Sequence, residues 1–288
     1  MAMPQPRGQR SLPAHIRIAQ AIRNDIESGR LRDGQRLPST RALADEWKAS
    51  QLTITKAMEQ LAVDGYIASH DRSGRIVTTP TSVSLSIAPP VRPVRPRVVC
   101  VGGYAGSGKS EFARTLARET SWAILDKDTI ARPIIEPALE DLGSTIDDRE
   151  SDIYLNRIRP REYEALAAVI QDNLEVGNSA IAAAPYLREF ADRSWLENMI
   201  ARAETEGADV TFVWVRCSLE TMLMYLRRRG AARDAWKLTH WEDYSARLDL
   251  NFRPEVAHVV IDNDPDSPPL RKQAQLLIES FRRKSAAQ

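Results

Sequence analysis

An excess of one charge is absent from this chain: 40 Lys and Arg stand against 39 Asp and Glu over 288 residues, for a net charge of +1. Net charge therefore neither supports nor excludes a nucleic-acid partner, and any basic surface must be local. Cysteine is scarce. The two present, Cys100 and Cys217, sit within or at the end of apolar runs. That is the pattern of small buried hydrophobes in a reducing compartment, not of a disulfide framework or a metal site. His240 and His258, two of four histidines, have no carboxylate or cysteine partner at metal-ligand spacing. No apolar run reaches the length needed to span a bilayer, and residues 1–10 are polar with no apolar leader segment. A cytoplasmic protein with no membrane partner is expected. No internal repeat is visible. The length suits two domains, each with its own core.

What the chain does hold is a motif for phosphate. Gly103-Tyr104-Ala105-Gly106-Ser107-Gly108-Lys109-Ser110 reads G-x-x-x-x-G-K-S. It follows the apolar run 98–101 and precedes a helical pattern over 109–119, the strand–loop–helix context that such a loop requires. Backbone N–H groups of Gly103, Ala105, Gly106, Ser107, Gly108, Lys109, Ser110 and Glu111 would turn toward phosphate oxygens, with the helix N-terminus adding partial positive charge. Lys109 would reach the β and γ phosphates, and the Ser110 hydroxyl would ligate Mg²⁺. No N-K-x-D motif for guanine is present, which makes ATP the default nucleotide.

Pro80, Pro89, Pro90, Pro93 and Pro96 crowd one short stretch. Proline at this density blocks helices and sheet ladders, so 80–97 reads as a linker between domains at 1–79 and 98–288. Ahead of it, Ile18, Ile22 and Ile26 recur at helical spacing and Gly29 stops the helix. Ser39 is placed to cap a second helix over 40–48, and Ser50 a third over 51–64. Two short β-like runs, 66–68 and 75–78, flank a polar turn. Three helices and a small hairpin form the plan of a winged helix-turn-helix. Behind the linker, strand patterns at 98–101, 123–125, 179–184, 210–215 and 258–261 alternate with helical patterns at 111–118, 161–175, 194–206, 219–229 and 269–282. That alternation predicts an α/β domain with a parallel sheet covered on both faces.

The order Ile26-x-x-Gly29-x-Leu31-x-x-Gly34-x-x-Leu37-Pro38-Ser39-x-Arg41-x-Leu43-Ala44, continued by Ser50-x-x-Thr53-Ile54-x-x-Ala57-x-x-x-Leu61 and Asp64-Gly65-Tyr66-Ile67, resembles the amino-terminal domain of GntR-type transcription regulators. The resemblance implies a winged helix that binds operator DNA, usually as a homodimer on a palindrome. Candidate DNA contacts are Arg41 on the second helix, Ser50, Gln51, Thr53, Thr55 and Lys56 at the third, and His70, Arg72 and Arg75 in the wing. Many members of that family carry arginine where Gln51 and Thr55 stand here, and the wing's usual glycine pair is reduced to Gly74.

Beyond the phosphate loop, Leu125-Asp126-Lys127-Asp128 resembles the D-x-D of P-loop small-molecule kinases such as shikimate and gluconate kinases and the zeta-toxin-like group. There the pair helps to hold Mg²⁺, for which Asp126 would join Ser110, and the phosphate-accepting substrate. A carboxylate at this place could accept the proton of an attacking hydroxyl; the other reading is that the aspartates cap the next helix. The run 226–234 resembles the lid of the same kinases. Arg229 and Arg233, four apart, would share a helix face and neutralise charge on a transferring phosphoryl group, while Arg227 and Arg228 read as solvated. Arg149, Arg157 and Arg188 are candidates for an anionic or hydroxyl-bearing acceptor. The third strand ends at Ala184, where many P-loop enzymes carry an acid. Two functions are compatible with these residues: a transcription regulator whose operator binding responds to ATP or a phosphorylated ligand, and an ATP-dependent small-molecule kinase with an autoregulatory DNA-binding domain.

Overall fold

The computed structural model describes residues 12–70, 74–78 and 95–286. Most of the proline-rich stretch, 80–94, and the wing residue Arg72 lie outside the described residues. His70 falls on a strand whose side chains there are not described.

The amino-terminal unit runs α1 (Ala14–Glu27), α2 (Thr40–Trp47), α3 (Gln51–Val63), then β1 (Ile67–His70) antiparallel to β2 (Gly74–Val77). Ile18, Ile22 and Ile26 lie one turn apart on α1 and are buried against Leu43, Ile54, Leu61 and Val77, which gives the three helices one shared core. The caps fall where the serines stand. Ser39 Oγ accepts from the Ala42 N–H at 3.2 Å and Ser50 Oγ from the Thr53 N–H at 3.1 Å.

The second unit comprises β3 (Arg97–Gly102), α4 (Lys109–Thr120), β4 (Ala123–Asp126), α5 (Lys127–Asp141), a π turn at Tyr154–Ile158, α6 (Arg159–Glu175), β5 (Ala180–Ala183), α7 (Leu187–Phe190), α8 (Arg193–Thr205), β6 (Asp209–Arg216), α9 (Leu219–Arg229), α10 (Ala235–Thr239), α11 (Trp241–Ala246), β7 (His258–Asp262) and α12 (Leu270–Ala286). The five strands pair in the order β4-β5-β3-β6-β7, all parallel. Strands buried on both faces read as continuous apolar runs, and β3 is buried at every position. The two-residue period divides the core. Val98, Cys100, Ala180, Ala182, Phe212 and Trp214 face α6 and α8, while Val99, Val101, Ile181, Ala183, Val213 and Val215 face α4 and α12. Both cysteines are buried and free. In a parallel sheet of this kind ligands sit outside the carboxyl ends of the strands, which is where the loops after β3, β4 and β5 converge.

The helix that would follow the D-x-D is present: α5 occupies 127–141, capped by Asp126, with Pro133 and Pro137 inside it. The prolines are four apart on the exposed side, and Ala131, Ile135 and Leu139 are buried on the other. The lid is not one continuous helix through Arg233. Gly230, at φ 55°, ends α9, and Arg233 stands on a separate short turn, Ala232–Asp234. Among the described residues, no helix is long and apolar enough to cross a membrane.

Candidate functional site

The phosphate loop leaves β3 at Gly102 and enters α4 at Lys109. Its shape depends on glycine. Gly108 has φ 91°, and a Cβ there would stand 2.0 Å from Asn263 Nδ2. That amide donates to the Ser107 carbonyl at 3.0 Å and so fixes the loop from behind. A Cβ on Gly103 would stand 2.5 Å from the Val215 carbonyl oxygen. The loop is a cradle that any side chain would fill, as phosphate binding through backbone N–H groups requires.

A cavity of about 510 Å³ opens over the loop, a size suited to a nucleotide. Gly106, Gly108, Lys109, Ser110 and Glu111 line it, as do Asp126, Asp128, Arg229 and Arg233. Gly103, Ala105 and Ser107 do not. Ala184 reaches the cavity too, with no acid beside it on that strand end.

Asp126 does both things its sequence position suggests. Its Oδ1 accepts from the N–H groups of Asp128 at 3.0 Å and Thr129 at 3.1 Å and caps α5. Its Oδ2 is 3.5 Å from the Ser110 hydroxyl. A hydroxyl and a carboxylate set side by side are hard oxygen donors of the kind Mg²⁺ takes alongside nucleotide phosphates, so the residues fit that ion. Asp128 faces the cavity from the first turn of α5, not from the strand. Lys127 Nζ lies 3.1 Å and Arg233 3.4 Å from its oxygens. Burial pushes the Asp128 carboxyl up, but Lys127, Arg233 and Lys109 outweigh it and hold the group well below the usual carboxylate range. An acid held so firmly ionised is a good hydrogen-bond acceptor and a weak proton acceptor. Lys109 is also moved down, to about 8, but here the shift disfavours the charged form: burial comes first and then the nearby Arg229 charge, and Asp128 and Asp126 oppose it.

Behind these groups lies a network that sequence reasoning missed. Lys127 is buried and donates to Glu162 at 2.6 Å, and the Tyr154 hydroxyl donates to the same carboxylate oxygen at 2.8 Å. Lys127 sits between the two aspartates of the D-x-D, where only the outer positions draw notice. Arg132, another cavity residue on α5, carries no motif in the sequence and was missed as well. The acceptor candidates fare less well. Arg149 donates to the carbonyls of Ile146 and Asp148, Arg157 and Arg188 are exposed, and none of the three lines the cavity. Arg229 is held by Asp234, with Nε 2.7 Å from its carboxylate.

On the winged helix, Arg41, Ser50, Gln51 and Lys56 are exposed. Thr53 and Thr55 spend their hydroxyls locally, Thr53 with Ser50 Oγ at 2.8 Å and Thr55 with the Gln51 carbonyl at 2.9 Å. Arg75 donates to Thr40 Oγ1 at 2.8 Å and ties the wing to the start of α2.

The largest correction concerns Arg228. It is not solvated: its guanidinium donates to Asp25 on α1, lies 3.3 Å from Glu46 on α2 and covers the Trp47 ring at 4.4 Å. Arg30, after α1, pairs with Glu111 on the phosphate-loop helix and lies 3.3 Å from Asp25. Asn24 Nδ2 donates to Asn263 Oδ1 at 3.1 Å, and Arg17 pairs with Glu220. The winged helix is thus docked beside the loop, and Ala21, Asn24, Asp25, Arg30 and Glu46 line the same cavity as Lys109. A charged residue on the helix face that carries Ile18 and Ile22 is the one sequence sign of this contact, and Asp25 supplies it.

Residues 98–250 match the family model described as AAA domain, and residues 15–77 match that of the bacterial regulatory proteins of the gntR family. The HTH-type transcriptional regulator TauR of Rhodobacter capsulatus is 38% identical over 91 residues, 32% of this chain and 17% of TauR. The uncharacterized HTH-type transcriptional regulator YdeL of Bacillus subtilis is 40% identical over 63 residues, 22% of this chain and 14% of YdeL. The chain thus spans well under half the length of these relatives. Among solved structures, the APS kinase of Mycobacterium tuberculosis in complex with AMPPNP and APS is 20% identical, with 67% of this chain and 99% of that one covered and a TM-score of 0.42. A gluconokinase from Sinorhizobium meliloti is 17% identical, with 67% and 94% covered and a TM-score of 0.41. A phosphate loop at a helix N-terminus implies nucleotide binding, typically with Mg²⁺, and a GntR helix-turn-helix implies DNA binding. The chain belongs to the AAA domain family, whose model matches residues 98–250, and its residues 15–77 match the gntR-family model.

Proposed function

We propose that this protein is a transcription regulator whose operator binding is controlled by ATP, held with Mg²⁺ in the kinase-like domain. One observation carries the reading: the cavity over the phosphate loop is walled by both domains, with Asp25 and Arg30 of the winged helix opposite Lys109. A ligand in that cavity touches the DNA-binding domain directly and has a route to differential affinity between two domain arrangements. Ser110 and Asp126 would hold the Mg²⁺, which on binding would neutralise phosphate charge. The winged helix would read a palindromic operator as a homodimer, through Arg41, Gln51 and Lys56, and 80–97 would serve as the linker. The test is operator affinity, on a duplex recovered by selection from random sequence, measured by anisotropy with and without MgATP in wild type and Lys109→Ala. Indifference to both ATP and the substitution would sink the proposal.

A second reading, a small-molecule kinase with an autoregulatory winged helix, draws on Asp128, Arg229 and Arg233 set around Lys109 in one cavity. It requires acceptor-dependent ADP release across a panel of hydroxyl-bearing metabolites, lost in Asp128→Asn. Silence across the panel would remove its support.

A further inference from the structure

The cavity has an unusual division of charge. The kinase-like domain brings six cationic and three anionic side chains to it, while the winged helix brings two anionic and one cationic. The winged helix therefore answers the positive loop with net negative charge, as a phosphate ligand would. At the centre of that wall is Asp25, 1% exposed, with Arg228 against one oxygen and Arg30 at 3.3 Å from the other. A buried carboxylate is stable only while such partners stay, and its exposure to a polyanion in the same cavity is repulsive. We infer that Asp25 on α1 of the winged helix and the triphosphate of a nucleotide compete for Arg228, so that loading the phosphate loop releases the winged helix from its docked position. The inference rests on the reading of this cavity as a nucleotide site and adds the sign and the groups of its regulation.

Two further contacts carry the loop's state to the winged helix. Asn263 donates to the Ser107 carbonyl inside the loop and accepts from Asn24 on α1, so a shift of the loop reaches α1 through one buried amide. Arg30 grips Glu111, the residue after Ser110, so the winged helix holds the first turn of α4 as well. On the far side, Arg228 is bonded to Glu46 and covers Trp47, four and three residues before the Ser50 cap of α3. Its chain neighbour Arg229 faces the cavity. One short stretch of α9 thus touches both the phosphate site and the helix-turn-helix. The docked face does not include Gln51 or Lys56, which stay exposed. Docking therefore fixes where the winged helix sits and leaves its reading helix open.

The full-length double variant Arg17→Cys, Glu220→Cys tests this at the rim of the contact, where the native pair bridges the two domains. The native cysteines are buried and do not compete for reagent. The rate of cross-linking by a short bis-maleimide reports docking, and MgATP binding is followed on the same protein by calorimetry. Saturating MgATP is expected to slow cross-linking at least fivefold, and the cross-linked protein to bind MgATP at least fivefold more weakly. Asp25→Asn in the same background keeps the side-chain shape and removes the charge; it is expected to bind MgATP more tightly and to lose most of the effect of MgATP on cross-linking. MgATP binding with an unchanged or faster cross-linking rate overturns the competition and leaves the nucleotide site standing. Absence of MgATP binding in the uncross-linked wild type overturns both. Asp25→Asn that matches its parent in binding and in cross-linking overturns the role given to the carboxylate.

Discussion

Lys109 makes the affinity for nucleotide depend on pH in a defined direction. In the free protein its ammonium is brought down to about 8, by burial and then by Arg229. A bound triphosphate supplies the opposite charge and returns the group to the ordinary lysine range, about 10.4. Below pH 8 the lysine is already charged and binding needs no proton. Above pH 8 the free protein must take one up, so affinity falls as pH rises, up to the pKa of the bound state. For a free-state value near 8, the fraction charged drops about tenfold from pH 7 to pH 9, which is a tenfold weaker Kd or about 1.4 kcal/mol. Phosphate's own last proton, with a pKa near 6, is gone over this window and does not confuse the slope. Titration calorimetry with MgATP at pH 9, in two buffers of different ionisation enthalpy, should show uptake of close to one proton. Lys109→Arg, charged throughout, should flatten the profile. Arg229→Ala removes the second cause of the depression and should move the break to higher pH. The same shift predicts a stability change: the unfolded chain holds the lysine proton between about 8 and 10.4 while the folded one does not, so stability rises with pH across that window. A flat Kd from pH 7 to 9 with no proton uptake would refute the reasoning, because it would place the ammonium out of contact with the phosphates.

The remaining predictions concern the frame around the loop. Lys127→Met should destabilise the protein by about 3–5 kcal/mol in urea melts because it leaves Glu162 buried with its charge uncompensated, and adding Glu162→Leu should recover most of the loss. Equal stability of the single and double variants would show that the pair is not what holds α5 to α6. Gly108→Ala should cut MgATP affinity more than tenfold, since its Cβ would meet Asn263 Nδ2 at 2.0 Å on a backbone at φ 91°; calorimetry on a variant shown to be folded by circular dichroism decides it. Ser50→Ala removes the α3 cap and should cost about 1 kcal/mol, read as a lowered melting temperature of the winged helix with MgATP affinity unchanged.

Much of the fold was legible because its signals are local. The five strands were found within two residues at each end, since a parallel sheet buried on both faces demands uninterrupted apolar runs such as Val98 to Val101. The serine caps and glycine stops of the winged helix are short-range chemistry as well. Less legible was helix α5, whose start the D-x-D offers as a cap but whose course carries Pro133 and Pro137. Pro137 costs its own bond to residue 133, but both prolines sit on the exposed face, and the buried row Ala131, Ile135, Leu139 carries the helix regardless. Propensity lost to packing there. Arg233 lines the cavity without sharing a helix face with Arg229, because Gly230 turns the chain before the four-residue spacing can act.

The site divides along the same line. The candidate phosphate residues come from three short local motifs, the loop for Lys109 and Ser110, the D-x-D for Asp126 and Asp128 and the lid run for Arg229 and Arg233, and all six line one cavity. Residues that join the domains are specified by no motif, because the contact pairs positions some two hundred apart, as Asp25 with Arg228 and Asn24 with Asn263. Within a single sequence, an arginine whose partner is that remote is indistinguishable from a solvated one. The distinction has consequences for function. Arg228 and Arg229 are adjacent in sequence and line the same cavity, yet Arg228 is bonded to Asp25 of the winged helix and Arg229 to Asp234 of its own domain. A run of arginines that looks like a wet helix face is a two-sided element, because its last turn makes contacts in both domains.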